Sequence, residues 1–543
     1  MKKRAVGEFD SFGVMIDCSR GAVYKKETIV RYIDLLAQMG YNVLMLYTED
    51  VYEVEGEPYF GYLRGRYTIQ ELREMDAYAR QKGIELIPCI QTLAHLGGLA
   101  RWQHFEPYID TGDIVLAEEP RVYALIEKMF ASIAKSFTSR TIHIGMDEAA
   151  AIGLGKYLDR HGYSDRFEIL CRHLEKVLAI ARKYGFEPIM WSDMFFRLAN
   201  QGQYYEADTA VSDEVKSRIP NGVGMVYWDY YSTDKSHYDA MIEAHERLFG
   251  SEIWFAGGAW SWNGFAPNNR YSFRSTRAAI ESCREKGIRN VFLTEWRDDG
   301  ADCSLFSTLP ALLYASFCAR GAFAVDTELE DAFYKLTGIA LDDFLLADMP
   351  NGEGIDRDCY NPSRFALYSD PFLGIFDYSL DEESEGRFIA LRDRLERVAE
   401  NETYGYMFRT LSALCDVLSI KYGLGIKTRR LYQSKDKQAL RALAETDYVQ
   451  LIAKVKNLYG AFCAQWETEC KPNGFEMHDI RFGGLLQRLE HCRLQLLAFA
   501  DGKVRELSAL EEQILPFADF AEKGKATLGF NNWLYNAMIK PTM

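Results

Sequence analysis

Short apolar runs alternate with longer amphipathic segments over residues 1–325. Each run is followed by a stretch in which apolar residues recur at helical spacing. The runs are GVMIDCS (13–19), NVLMLYTED (42–50), ELIPCIQ (85–91), TIHIGMDE (141–148), PIMWSDM (188–194), GVGMVYWDYY (222–231), IWFAGGAWSW (253–262) and NVFLTEWRDDG (290–300). Eight strand–helix units predict an α/β fold, a (β/α)8 TIM barrel. A doubly wound open sheet is the alternative, but no glycine-rich phosphate turn follows the first run.

The strand pattern stops after Val325. Helical periodicity continues in segments such as ESEGRFIALRDRLERVAE and GGLLQRLEHCRLQLLAFADGKVRELSALEEQIL. The sequence therefore predicts a catalytic barrel over residues 1–325 and an α-helical C-terminal domain over residues 326–543. An irregular stretch, residues 349–379, interrupts the helical pattern. Its length indicates a functional loop or an interface, and its Arg364, Tyr368 and Asp370 could face a ligand across a homodimer.

Polar and aromatic side chains cluster where the predicted strands end. In a TIM barrel these carboxyl ends meet on one rim, which carries the active site. The residues there are Asp17, Arg20, Glu49, Asp50, Gln91, His95, Asp147, Glu148, Trp191, Asp193, Tyr227, Trp228, Asp229, Tyr230, Trp260, Trp262, Glu295, Trp296, Arg297 and Asp298. Rings stack on the faces of pyranoses and carboxylates accept bonds from sugar hydroxyls, so the mixture is typical of a sugar site. Any single member has an ordinary interpretation as a helix cap or core residue, and the set carries the prediction.

Charge and composition narrow the possible partners. The chain of 543 residues has 63 basic and 79 acidic residues, a net charge of −16, and no basic run, which argues against nucleic acid or an anionic membrane surface as a partner. No apolar stretch of about 18 residues occurs, so no membrane span is predicted. The N-terminal segment does not resemble a secretory signal. The eleven cysteines are scattered without a CxxC pair, which favours a reduced, cytoplasmic location.

The residues at the ends of the apolar runs do not favour metal catalysis. The first run lacks the His-x-His pair typical of metal-dependent barrel hydrolases, and the third ends in Gln91 where an enolase-like magnesium site would need an acid. We therefore expect neither a metal nor a cofactor.

Two adjacent acids, Asp147 and Glu148, end the fourth run. A glycosidase with its own nucleophile needs two carboxylates on opposite sides of the sugar, about 5 Å or more apart. Sequence neighbours do not flank a ring in that way, although a pairing such as Glu148 with Glu295 remains open. Adjacent acids suit a different division of labour, in which one protonates the leaving oxygen and the other holds a substrate group that itself attacks. This is substrate-assisted hydrolysis.

The segment TIHIGMDEA resembles the catalytic strand of the β-N-acetylhexosaminidases of glycoside hydrolase family twenty. Their fourth barrel strand ends in His/Asn-x-Gly-x-Asp-Glu, and the segment here lies on the fourth of eight predicted strands. GVMIDCSR is similar to the family's first strand, and Trp191 falls where the family has a fifth-strand tryptophan. The helical remainder resembles the C-terminal extension of a bacterial, cytoplasmic-type subgroup.

The resemblance implies an exo-acting, retaining β-N-acetylhexosaminidase that releases terminal β-linked GlcNAc or GalNAc from oligosaccharides or glycoconjugates. Glu148 would be the general acid and then the base. Asp147 would orient the 2-acetamido group, whose carbonyl oxygen attacks the anomeric carbon to give an oxazolinium intermediate. Tyr227 or Tyr230 would bind the acetamide carbonyl. The remaining expected sugar-binding residues are Asp17, Arg20, His95, Trp191, Trp228, Asp229, Trp260, Trp262, Glu295 and Trp296.

The sequence departs from the family pattern at two recognition positions. Phe12-Gly13 occupies the place of the first-strand Arg-Gly, so Asp17 or Arg20 would replace that arginine. Gln91 stands four residues before His95, where the family has Asp. Two alternatives to the hexosaminidase hypothesis stay open. One is a non-hydrolytic amino-sugar-binding barrel, and the other is a retaining β-glycosidase with its own carboxylate nucleophile.

Overall fold

Eight parallel strands close into a barrel in the computed structural model, which describes residues 5–209, 216–250, 252–262, 264–298, 300–352 and 362–516. The strands are β1 Ser11–Asp17, β2 Val43–Tyr47, β3 Glu85–Cys89, β4 Thr141–His143, β5 Glu187–Trp191, β6 Gly224–Trp228, β7 Ile253–Gly258 and β8 Asn290–Glu295. Each strand pairs with the next in the chain, and β8 closes on β1. The predicted TIM barrel is confirmed, with one strand overlapping each of the eight apolar runs.

Helices follow the barrel strands. Those between successive strands are Lys26–Met39, Ile69–Gln81, Gly97–Ala100, Pro120–Ser136, Lys156–His161, Arg166–Lys183, Asp193–Ala199, Lys235–Phe249 and Asn269–Glu285, with a 3-10 turn at Gln103–Tyr108. A 3-10 turn, Leu305–Thr308, and helix Leu309–Ala319 follow β8. A short antiparallel hairpin, Ile109–Thr111 with Ile114–Val115, lies between β3 and β4.

Local sequence explains where these elements begin and end. All seven residues of β1 are buried, as expected for a parallel strand that packs on both faces. The first helix ends at Gly40, whose φ of 89° lies in the left-handed region that glycine adopts without strain. Thr68 and Glu71 form a reciprocal capping box at the start of the second long helix.

The chain forms two compact units. The first comprises Met1–Ala259, Ser272–Trp296 and Ala311–Leu329, and the second comprises Trp260–Tyr271, Arg297–Pro310 and Glu330–Met543. Two segments between barrel elements thus belong to the second unit, so the units are not separated at a single point of the chain. The predicted boundary at residue 325 stays a prediction.

The second unit is helical beyond residue 330. Helices in this part of the chain are Thr327–Thr337, Leu341–Phe344, Pro362–Tyr368, Glu385–Val398, Gly405–Gln433, Lys437–Glu445, Asp447–Glu469, Glu476–Ala500 and Ser508–Glu511, with 3-10 turns at Leu345–Asn351 and Asp377–Ser379. None of the helices in the described ranges combines the length and the hydrophobicity needed to cross a bilayer.

The irregular stretch 349–379 lies in this second unit, although its residues 353–361 fall outside the described ranges. Arg364 is buried and forms an ion pair with Asp302, with 2.6 Å between Nη2 and Oδ2. Asp370 accepts bonds from both Nε and Nη2 of Arg488, at 2.8 and 3.2 Å. These two side chains therefore have partners within their own unit, and the homodimer stays a prediction.

Candidate active site

The turn after β4 places the two adjacent acids. Gly145, Met146 and Glu148 all have φ between 52° and 73°, so the backbone leaves the strand through left-handed conformations. At Gly145 a Cβ atom would lie 2.0 Å from Oε1 of Gln91, so only glycine fits there. The amide of Met146 donates to that same Oε1, at 3.1 Å. β4 is consequently only three residues long, and the chain turns at its end to present Asp147 and Glu148.

Asp147 is buried and held by two neighbours from the end of β3. Gln91 Nε2 donates to Asp147 Oδ1 at 2.7 Å, and His95 Nε2 lies 3.2 Å from Asp147 Oδ2. Burial alone would raise the pKa of Asp147, but the charge of His95 and these contacts lower it. Burial would lower the pKa of His95, yet the charge of Asp147 raises it to about 9. Asp147 is therefore an ionised carboxylate beside a protonated imidazole at neutral pH.

Glu148 has a different environment. Its side chain is 50% exposed, and its carboxylate lies 3.7 Å from His95 Nε2 and 3.5 Å from Arg197 Nη2. Its backbone amide donates to Asp193 Oδ2 at 3.1 Å. This bond holds the main chain in place while the side chain stays half exposed. Burial and the charge of Asp147 raise the pKa of Asp193 to about 7.

Aromatic rings line the rim beside the acids. The indole N–H of Trp296 donates to the hydroxyl of Tyr230 at 3.0 Å, and Tyr230 stacks on Trp228 with ring centres 5.4 Å apart. Trp191 packs 6.1 Å from Trp296, and Tyr47 meets Trp296 edge to face at 4.9 Å. The predicted residues Trp191, Trp228, Tyr230 and Trp296 are thus brought together as one wall.

A cluster of charged side chains lies on the rim at the ends of β1 and β2. The guanidinium carbon of Arg20 lies 4.9 Å from the ring centre of Trp296. Its Nε lies 3.7 Å from Oε1 of Glu49. Asp17 accepts bonds from the amide and hydroxyl of Ser19, both at 2.8 Å, and so shapes the turn that carries Arg20. Burial raises the pKa of Glu49 to about 7.

Three predicted binding residues point away from this rim. The hydroxyl of Tyr227 donates to Asp229 at 2.8 Å, and its ring packs against His245 of helix Lys235–Phe249. Asp229 also contacts His237 Nε2 at 2.8 Å. Glu295 is fully buried and accepts a bond from Tyr32 of the first helix. Tyr227 and Asp229 therefore lie on the helix side of β6, and of the two candidate tyrosines only Tyr230 reaches the rim.

Trp260 and Trp262 lie in the second unit. Both are buried, with ring centres 4.2 Å apart, and Trp260 also meets Tyr271 edge to face at 5.5 Å. Their predicted contact with the sugar stays a prediction.

Sequence reasoning missed Tyr47 in the aromatic wall and two arginines at the rim, Arg197 and Arg64. Arg197 lies one helical turn after Asp193, and its Nε is 3.0 Å from Asp193 Oδ2. An acid and a base four residues apart at a helix start are a recognisable signal. Arg64 pairs with Asp50, with 3.1 Å between Nη2 and Oδ1, but it comes from a long loop whose path no sequence pattern indicates. Among the described residues no three His, Cys, Asp or Glu side chains are grouped as metal ligands.

Two protein-family models match the sequence. The glycosyl hydrolase family 20 catalytic domain matches residues 9–212, and the glycoside hydrolase 20C C-terminal domain matches residues 340–528. The first stretch contains β1 to β5 with the Asp147–Glu148 turn, and the second corresponds to the helical region predicted to extend the barrel.

Individual relatives are distant. Hexosaminidase D of Bos taurus is 23% identical over 295 residues, which are 51% of this chain and 82% of that protein. Hexosaminidase D of Homo sapiens is 22% identical over 308 residues, 54% of this chain and 61% of that protein. A solved structure of a family 20 exo-β-N-acetylglucosaminidase from Vibrio harveyi, in complex with N-acetylglucosamine, matches with a TM-score of 0.45 and 17% identity over 61% of this chain and 57% of that chain.

Both family models name the same family, and they match separate stretches of the chain. The chain therefore belongs to glycoside hydrolase family 20, and it is a glycoside hydrolase.

Proposed function

We propose that this protein is an exo-acting, retaining β-N-acetylhexosaminidase that cleaves terminal β-linked GlcNAc or GalNAc by substrate-assisted catalysis. The observation that carries the proposal is the contrast between two neighbouring acids. Asp147 is buried and kept ionised by His95 and Gln91, whereas Glu148 is half exposed beside it. One fixed anion and one accessible acid are what a reaction through the substrate's own acetamide requires.

In the proposed mechanism Asp147 accepts the N–H of the 2-acetamido group. Gln91 and His95 each occupy one of its oxygens, but an ionised carboxylate has further lone pairs to accept that bond. The carbonyl oxygen then attacks the anomeric carbon, and the Asp147 charge stabilises the positive oxazolinium ring that forms. Because His95 holds the carboxylate in place, its orientation exists before substrate binds.

Glu148 donates a proton to the leaving oxygen and later removes one from the attacking water. Water attacks from the face that the leaving group vacated, opposite the oxazolinium ring, and displaces the acetamide oxygen. The two successive inversions give a product with the configuration of the substrate.

The aromatic wall and the charged cluster are proposed to hold the sugar. Trp191, Trp228 and Trp296 would surround the acetamide methyl and the sugar face, and the Tyr230 hydroxyl would donate to the acetamide carbonyl. Arg20, supported by Glu49, would take the hydroxyl-binding role of the absent first-strand arginine.

The test compares chromogenic β-GlcNAc and β-glucose substrates with the same leaving group. Hydrolysis of the first with almost none of the second is expected, since glucose lacks the attacking group. Equal rates would mean that the protein supplies its own nucleophile, and binding of GlcNAc without hydrolysis of either substrate would favour a sugar-binding protein.

A further inference from the structure

A group of three aromatic rings, two exposed and one half-buried, lies on two loops that leave the strand ends of the barrel. Tyr59 and Tyr62 belong to the loop between β2 and helix Ile69–Gln81, and Trp102 follows helix Gly97–Ala100 after β3. Both loops start at the carboxyl ends of strands, the rim that carries the active site. The first spans residues 48–68 without a helix or strand, and loops of that length in compact domains are usually functional.

The three rings form one cluster, called here the aromatic platform. Ring centres lie 5.2 Å apart for Tyr62 and Trp102, 5.6 Å for Tyr59 and Trp102, and 6.1 Å for the two tyrosines. Tyr59 is 41% exposed and Tyr62 45%, and neighbouring Leu63 is 65% exposed. Within the described residues none of the three platform side chains makes a hydrogen bond. His104 stacks on one face of the Tyr59 ring, with ring centres 5.3 Å apart, and Trp102 is half-buried, so the two tyrosines supply most of the surface open to a ligand.

The platform is attached to the candidate active site through charged contacts. Arg64 is two residues after Tyr62, and its Nη2 lies 3.1 Å from Asp50 Oδ1 and 4.0 Å from Glu49 Oε2. Glu49 in turn contacts Arg20. Leu63, between Tyr62 and Arg64, has a φ of 63°, a strained conformation for leucine. On the other loop, Trp102 is seven residues after His95, which lies 3.7 Å from the Glu148 carboxylate. Each of the two loops that carry the platform thus also carries a residue, Arg64 or His95, that contacts the charged groups of the candidate active site.

The charges around the platform are paired. Glu57 bonds to Lys128 at 2.6 Å and lies 3.6 Å from His104, and Glu106 forms an ion pair with Lys156. A surface of exposed rings with neutralised charges suits a neutral, flat ligand with an apolar face and hydroxyl groups, which describes a pyranose.

We propose that Tyr59, Tyr62 and Trp102 bind sugar units on the leaving-group side of an oligosaccharide, beyond the residue that is cleaved. The proposal rests on the proposed function, since it extends the substrate of the same site. It predicts that the enzyme favours β-linked oligosaccharides over glycosides with a small alkyl leaving group.

The test compares kcat/KM for a β-1,4-linked GlcNAc tetrasaccharide with that for methyl β-GlcNAc, both of which release an alcohol. Tyr62→Ala and Trp102→Ala should lower the ratio of the two values by roughly three- to tenfold, the effect of losing one aromatic stacking contact. Tyr62→Phe and Trp102→Phe should restore most of it. Tyr334→Ala, at an exposed tyrosine of helix Thr327–Thr337, is the matched control and should leave the ratio unchanged.

A ratio within twofold of wild type in both alanine variants would overturn the platform proposal. So would an unchanged ratio with an altered sedimentation coefficient, which would make the rings a contact between protein copies. Failure of the wild-type enzyme to hydrolyse either compound would instead contradict the proposed function. The platform is then tested by calorimetric binding of the tetrasaccharide to Glu148→Gln, with and without Trp102→Ala, where equal affinities would overturn it.

Discussion

His95 Nε2 lies 3.2 Å from Asp147 Oδ2 and 3.7 Å from Glu148 Oε2. The imidazole of His95, in the segment that follows β3, therefore contacts both acids after β4. Because its proton stabilises the buried charge of Asp147, the pair keeps one acid ionised whatever the half-exposed Glu148 does. The surroundings of the two neighbouring carboxylates therefore differ, since Asp147 is buried against His95 and Glu148 is half exposed.

The first prediction concerns these two acids. Glu148→Gln should lower kcat for a substrate with a poor leaving group by about 100- to 10,000-fold, the usual contribution of a general acid, and by much less for an activated aryl glycoside. Asp147→Asn should lower kcat on both substrates by about 100- to 1,000-fold, since the attacking acetamide loses its charged partner whatever the leaving group.

Steady-state kinetics of the two variants on the two substrates measure these losses of kcat. The control is Asp159→Asn on the exposed helix Lys156–His161, and an equal leaving-group dependence in both variants would contradict the assignment.

The second prediction follows from the raised pKa of His95, about 9 in the folded protein against 6.5 for the free side chain. A group whose folded pKa is raised stabilises the fold fully below its unfolded pKa, and this contribution is lost as pH rises through the folded pKa. The wild-type protein should therefore lose stability, on the order of 2 kcal/mol, between pH 6.5 and 9. His95→Gln should show a flatter profile of Tm against pH over that window. Parallel profiles for the two proteins would mean that His95 is not charged beside Asp147.

The third prediction concerns Gln91. Gln91→Glu keeps an oxygen for the Met146 amide but places a second carboxylate oxygen where the amide now donates to Asp147, at 2.7 Å. Repulsion between like charges should raise the pKa of Asp147. The acid limb of the kcat/KM profile should move to higher pH, whereas Gln91→Ala should lower activity with a smaller shift. An unmoved acid limb in Gln91→Glu would show that this limb does not report Asp147.

The fourth prediction separates the two tyrosines that the sequence left open. Tyr230→Phe should lower kcat/KM for β-GlcNAc substrates about 10- to 100-fold, since a buried hydrogen bond to the acetamide is lost. Tyr227→Phe should cost about 1 kcal/mol of stability through the lost bond to Asp229, with little change in kcat. The reverse pattern in kinetics and thermal unfolding would contradict the assignment.

The barrel and the acid pair were predictable because both rest on local pattern. Apolar runs of strand length mark every barrel strand, and Asp147 and Glu148 follow one of those strands after a three-residue turn. The direction of individual side chains was harder to predict. Tyr227 and Tyr230 are three residues apart at the end of β6, yet one packs on a helix and the other reaches the rim. Arg197, Arg64 and the aromatic platform come from long-range packing of loops, which periodicity does not encode.

The most direct test of the central claim varies the acyl group on the substrate nitrogen. Replacing acetyl by mono-, di- and trifluoroacetyl withdraws electrons from the carbonyl oxygen and leaves the leaving group unchanged. If that oxygen attacks the anomeric carbon under the guidance of Asp147, kcat/KM should fall steadily along the series, by more than about 100-fold for trifluoroacetyl, or about 2.7 kcal/mol in the barrier. Rates within two- or threefold of one another across the series would contradict substrate-assisted catalysis and require a nucleophile from the protein.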